Sequence, residues 1–356
     1  MSKEKVKETK KATSTTKDKK TAKSKKSARS KVIEKILKIA GSKARFTSEE
    51  NAQKYLNKCR KKNRKIYKAP KLYNELAHRR FFDKVQYYKF DGEEKTIIYL
   101  HGGAFVARPL IFHWSFLKDI FEKTEATIYF PLYPLAPEAS YKETYRFLLK
   151  FYKFILSNHS AKNIILMGDS AGGTLILGLI ELLKRKNLPL PAKVIPLSPC
   201  MDITFTNKKI DKLEDKDPML SKVGCTLICG YWARGAGAKE PLVNPKFVAT
   251  DNFPETHIFV GTHEILHPDI MEFAKKNKAI NGRKIFENVA EMKKNEAQDL
   301  DPTPSPSKRK AAPKSWLTIY EIEGMNHVFP LFPIPEADIA EDIIANLIIS
   351  PPVENK

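Results

Sequence analysis

The sequence predicts an α/β fold, a mostly parallel sheet covered by helices on both faces. Three observations carry that expectation. Short, near-continuous apolar runs rich in β-branched residues recur along the chain, as in strands buried on both faces. Stretches of helical periodicity separate them, the alternation that a parallel sheet requires. The chain has 356 residues of which 42% are hydrophobic, enough for a sizeable core.

Residues 1–31 stand apart. They hold twelve lysines and one arginine against three acids, a net charge of +10, and Val6 is their only large aliphatic after Met1. Such a segment cannot bury enough apolar surface to offset its chain entropy, so a disordered basic arm is expected there. A single domain is expected over 32–350. In "VIEKILKIAG", Val32, Ile33, Ile36, Leu37 and Ala40 fall at helical spacing and Gly41 can end the helix. A second helix opens at "TSEENAQKYLNKC", where Thr47 and Glu50 have capping-box spacing. "KVQYYKF" then reads as a strand, "DGEEK" as a turn and "TIIYL" as a short buried strand. The alternation continues with strand "ATIYF", helix "YKETYRFLLKFYKFILS", strand "NIILMG", helix "GTLILGLIELLKRK" and strands "AKVIPLS" and "HIFVG". A helix near "DIMEFAKKNKA", the strand "SWLTIYEI" and a last helix "PEADIAEDIIANLI" complete it. Residues 201–250 interrupt the pattern with a helical stretch expected above the sheet. Residues 285–315 end in Pro- and Lys-rich "DLDPTPSPSKRKAAPKS", whose second half reads as an exposed loop insertion.

One strand–helix junction carries chemistry. "GDSAG" fits the G-x-S-x-G pattern of a nucleophile elbow, where a serine sits on a sharp turn with its hydroxyl exposed. Gly168 and Gly172 leave room for the strand and helix on either side, and the helix that follows aims its N-terminal dipole at Ser170. A serine needs a base, and His327 lies in "EIEGMNHVFP" after the last strand, at the same carboxyl edge of the sheet as the elbow. The orienting acid should follow the preceding strand, where "THEILHPD" offers Glu264, close to the strand tip, and Asp269, a turn further on. Glu264 is preferred; Asp269 also suits the dipole of a helix start. No catalytic role is expected for His263 or His267. In "YLHGGAFVARP", backbone N–H groups of Gly102, Gly103 and Ala104, joined by that of Ala171, can bind a developing oxyanion, with His101 bracing the loop.

Together these residues resemble the hormone-sensitive-lipase-like (acetyl esterase/carboxylesterase) branch of the α/β-hydrolase superfamily. The likeness runs from about residue 85 to 349 and extends to "YPLAPEASYKETY", "SPCMDIT", "DPML", "PLVNP" and "GMNHVF". It implies an α/β-hydrolase fold with a helical cap made from about 32–80 and 201–250. It also implies Ser170 as nucleophile, His327 as base, the acid within "EIL" and "HGGA" as oxyanion hole. Three departures stand out. Ala104 replaces the third glycine of HGGG, Glu264 replaces the aspartate of D-x-L, and the basic arm and the 285–315 insertion have no counterpart.

The expected activity is hydrolysis of short-chain carboxylic esters through an acyl-enzyme, with neither metal nor organic cofactor. Amide or lipid-ester hydrolysis uses the same groups, and a non-catalytic ligand receptor on the same fold is a different class of reading. A third takes the lysine arm as primary, binding nucleic acid or an anionic membrane through phosphates; the arm lacks aromatics for base stacking. Cys59, Cys200, Cys225 and Cys229 are scattered, without a CxxC pair, and read as buried thiols. No secretory signal and no run of eighteen apolar residues is visible, so a cytoplasmic protein is expected.

Overall fold

The computed structural model describes residues 26–277, 283–286, 291 and 316–351. Most of the expected basic arm and most of the 285–315 insertion lie outside the described residues. Among the described residues nine strands form one sheet, in the order β1-β2-β4-β3-β5-β6-β7-β9-β8. In chain order they are β1 (His78–Phe82), β2 (Val85–Phe90), β3 (Glu93–Leu100), β4 (Ala126–Pro131), β5 (Ile164–Asp169), β6 (Lys193–Leu197), β7 (Glu255–Gly261), β8 (Arg283–Phe286) and β9 (Leu317–Ile322). Only β2 runs against its neighbours; β4 through β8 pair in parallel.

The helices whose full extent lies among the described residues are α1 (Ala28–Ile39), α2 (Glu49–Asn63), α3 (Ile111–Thr124), α4 (Tyr141–Leu156), α5 (Ala171–Arg185), α6 (Lys222–Trp232), α7 (His267–Lys276) and α8 (Pro335–Ile349). The period-2 alternation of the strands sorts the core into two layers. Ile98, Leu100, Leu166, Val194, Ile258 and Val260 pack with α4, α5 and α7 on one face. Ile97, Tyr99, Ile165, Met167, Ile195 and Phe259 pack with α3 and α8 on the other. Helices therefore cover both faces, as the alternation in the sequence requires. Within the described residues no helix is long and apolar enough to cross a membrane.

Three boundaries differ from the sequence reading. The first helix starts at Ala28, inside the segment expected to be disordered through residue 31. Ser27 Oγ accepts the Ser30 N–H, and the Glu336 carboxylate at the start of α8 receives the Ser27 N–H and both serine hydroxyls. A tertiary carboxylate thus holds a turn that composition alone gives no reason to order. Its C-terminus follows expectation: Gly41 takes φ +64, with Gly41 N–H on Lys38 O and Ser42 N–H on Leu37 O, a Schellman closure. The cap of α2 is Ser48, whose Oγ accepts the Asn51 N–H, and not Thr47, whose hydroxyl turns back to Ala44 O. In place of the whole "DGEEK" turn, β3 already begins at Glu93.

Candidate active site

Ser170 sits between β5 and α5 with φ +52 and ψ −118, a backbone state that side chains rarely adopt. Its N–H donates to Leu197 O at the tip of β6, and its carbonyl receives the Thr174 N–H, which fixes the turn from both sides. The tightness of the junction explains the neighbouring glycines. A Cβ on Gly168 would meet Leu100 O at 2.7 Å, and one on Gly172 would overlap that same carbonyl.

The loop after β9 brings His327 to the serine, with Nε2 2.9 Å from Ser170 Oγ. The Nδ1 atom lies 2.6 Å from Glu264 Oε2, so the two partners occupy opposite ends of the ring. Both the ring and the carboxylate are buried. Glu264 is itself held: its Oε1 accepts from Ser198 Oγ at 2.8 Å and from the Gly261 N–H at 2.9 Å. Ser198 Oγ also receives the N–H of Val328, a β-branched residue forced to φ +50 just after the histidine. Burial alone would lower the His327 pKa; the hydrogen bond and charge of Glu264, with the charges of Asp217 and Asp169, outweigh it and raise it above the ordinary imidazole value. Asp269 does not join this group. It accepts from Asn207 Nδ2 at 2.9 Å inside α7, and burial pushes its carboxyl up to about 6.

The loop after β3 supplies the backbone donors, with one correction. The Gly102 N–H is already taken, donating to Asp169 Oδ1 at 2.8 Å, so it has no proton left for an oxyanion. Gly103 and Ala104 hold left-handed backbone at φ +115 and +52, and their N–H groups, with that of Ala171, find no acceptor among the described residues. Ala104 carries the strain that a third glycine would avoid, of order 1 kcal/mol. His101 is buried and neutral, its pKa lowered to about 3 mainly by burial, and Nδ1 donates to Gly102 O at 2.7 Å while the ring stacks on Tyr133. His263 lies 3.2 Å from Lys26 Nζ and His267 2.9 Å from Glu321; neither reaches Ser170.

Three groups escaped the sequence reading. Asp169, beside the serine, braces the glycine loop: Tyr99 Oη donates to it at 2.7 Å and His113 Nε2 lies 3.4 Å away. Burial would raise its carboxyl, but the His113 ring and these hydrogen bonds hold it low. Asp217 of "DPML" is fully buried and accepts the N–H groups of Met219, Leu220 and Ile265, tying the segment before α6 to the acid loop. Ser198 completes the set. Each is a short polar residue at or just beyond the end of a strand or in a loop, with no periodicity to mark it.

The serine opens into a cavity of about 340 Å³ walled by α1, the turn to α2, the glycine loop, Met219 and Leu220. The N-terminal helices and the 201–250 segment pack together over this edge. Tyr231 Oη donates to Gln53, a Cβ on Gly224 would strike Phe46, and Trp232 stacks on Phe105 of the glycine loop at 3.8 Å.

A family model for the α/β-hydrolase fold matches residues 97–294. An esterase of Acinetobacter venetianus is 32% identical over 184 residues, which cover 51% of this chain and 61% of that protein. The chain spans less than two thirds of the length of the curated relatives it matches. A solved structure from Staphylococcus aureus, designated an esterase, superposes with a TM-score of 0.73 at 26% identity, covering 88% of this chain and 97% of that one. An esterase from the bacterial hormone-sensitive lipase family superposes with a TM-score of 0.70 at 20% identity, covering 92% of this chain and all of that one.

Proposed function

The chain belongs to the α/β-hydrolase family, and from that premise we propose that it is a serine carboxylic ester hydrolase acting on short-chain acyl esters. One observation carries the reading: the unbroken line from Ser170 Oγ to His327 Nε2 at 2.9 Å and from Nδ1 to Glu264 at 2.6 Å. In this reading Ser170 Oγ attacks the carbonyl carbon while its proton passes to Nε2. Glu264 keeps the Nδ1–H tautomer and stabilises the imidazolium. The N–H groups of Gly103, Ala104 and Ala171 receive the oxyanion. His327 then protonates the leaving alcohol, and water repeats the sequence on the acyl-enzyme. No step calls for a metal or organic cofactor. The α1–α2 region and the 201–250 segment act as the cap, and a cavity of about 340 Å³ favours small esters.

Ser170→Ala tests the reading. It should abolish turnover of p-nitrophenyl butyrate and labelling by a fluorophosphonate, with an unchanged circular dichroism spectrum. Turnover that survives the substitution would refute it.

A further inference from the structure

The cavity that opens on Ser170 contains two guanidinium groups. Arg45, on the turn between α1 and α2, donates from Nε to Ser42 O at 2.7 Å and lies over the Tyr55 ring at 5.0 Å. Arg108, beyond the glycine loop, donates to Asn63 O and lies beside Tyr67. Both line the same cavity as the serine and the histidine. Neither meets a carboxylate among the described residues, although both are partly withdrawn from solvent. A half-buried cation without a counter-ion is costly, and other guanidinium groups of the chain do meet carboxylates, as Arg60 meets Glu138 and Arg185 meets Glu181.

The same charge continues outward. A second hollow adjoins the cavity through Arg45, Tyr55 and Arg108 and is lined further out by Lys58, Lys62 and Lys65. Lys58, Lys61, Lys62 and Lys65 stand exposed on α2 and beyond, with no acidic partner among the described residues. The cavity also holds the buried carboxylate of Asp169, already engaged by Tyr99 Oη and the Gly102 N–H. Among the described residues, the charged groups lining the outer hollow are all cations, and such a cleft focuses the field and raises the local concentration of counter-charged substrate. Apolar walls accompany it: Ile36, Leu110 and Phe332 line the cavity beside the arginines. The site thus has a place for a short aliphatic stretch and a place for an anion.

Building on the esterase reading above, we propose that the substrate is an anionic ester, a small molecule with a carboxylate or phosphate on one of its two arms. Arg45 and Arg108 bind that anion, and the lysines of α2 steer it inward.

The experiment compares matched charged and neutral substrates at low salt. On the acyl arm, the p-nitrophenyl monoester of adipic acid is set against p-nitrophenyl hexanoate; on the alcohol arm, 4-acetoxybutanoate against butyl acetate, followed by pH-stat. The expected result is a kcat/KM about tenfold or more higher for the anion in at least one pair. That ratio should fall toward one in Arg45→Gln and Arg108→Gln and with added salt, chiefly through KM. A ratio of one or below in both pairs overturns the proposal while leaving the esterase reading intact. Activity that appears only on anionic vesicles, and not on these monomers, overturns it in favour of a lipid surface.

A binding measurement separates the two readings. The unreactive ketones 6-oxoheptanoate and 2-heptanone are titrated into the Ser170→Ala protein. Tighter binding of the charged ketone, lost in Arg108→Gln, upholds the anion site even if no ester were turned over. Equal affinity rejects it.

Discussion

Replacing Glu264 with Gln keeps the length of the side chain and removes its charge and one of its acceptors. The structure dictates how the amide would sit. Oε1 receives both Ser198 Oγ–H and the Gly261 N–H, so the glutamine carbonyl must occupy that side. Its NH₂ then faces His327 Nδ1 at the 2.6 Å position of Oε2, where two donors would oppose each other. The ring escapes by moving its proton to Nε2, which leaves Ser170 Oγ without an acceptor. A wrong tautomer of this kind costs about 10⁴-fold in kcat, or about 5 kcal/mol at 1.36 kcal/mol per decade. Loss of the Glu264 charge also removes a group that raises the histidine, so the acid limb of any residual activity should move to lower pH. Rates on p-nitrophenyl butyrate from about pH 5 to about pH 9, measured for Glu264→Gln and Asp269→Asn, give the answer. A Glu264→Gln enzyme within tenfold of the wild type, or a larger loss in Asp269→Asn, would refute the assignment and the tautomer argument together.

Three further outcomes follow from the packing. Gly172→Ala drives a methyl into Leu100 O, so α5 must back away from β3; urea denaturation should show a loss of about 3 kcal/mol. Ser198→Ala leaves the buried Val328 N–H without its acceptor and frees one side of Glu264, which should cost about 1–3 kcal/mol in stability and roughly tenfold in kcat, read from the urea midpoint and initial rates. Because His327 is raised in the folded protein, its contribution to stability is complete below the unfolded value of about 6.5 and is lost as pH rises through the higher folded value, whereas turnover, which needs the neutral ring, rises over that window. The gap in urea midpoint between wild type and His327→Gln should therefore shrink toward alkaline pH; a constant gap would show that the histidine is not raised.

Local pattern carried most of the fold. The buried strands and the helix over "YKETYRFLLKFYKFILS" are legible from hydrophobic period, and the structure adds a Ser140–Glu143 capping box at the start of α4. By contrast, "HRRFF" forms β1 with almost every side chain exposed, since an edge strand earns its place by pairing with β2 and not by burial. Helix α3 hides because Phe112, Trp114, Phe116 and Phe121 spread apolar groups around the helix and blur its stripe. Within the site, Ser170, His327 and Glu264 were readable from their order after successive strands. The engagement of the Gly102 N–H was not, because it depends on where the Asp169 side chain turns. Asp217 and Ser198 are invisible for the same reason: the contacts that tie them to the acid loop, with the Ile265 N–H and with Glu264, lie 48 and 66 residues away.

Four neighbouring strands each deliver one member of the polar row from their C-terminal tips: β5 gives Ser170, β6 Ser198, β7 Glu264 and β9 His327. The row crosses three inter-strand spacings of about 4.8 Å each, and no single loop contains two of its contacts. Lengthening any one turn by a residue displaces only its own member, and that is enough to break the hydrogen-bonded contacts that hold Ser170, His327 and Glu264 in line. Turnover is consequently a gauge of sheet alignment. It should fall most when the tip that carries Ser170, Glu264 or His327 slips, and less for that of Ser198, while spectroscopic measures of strand content still register an intact protein.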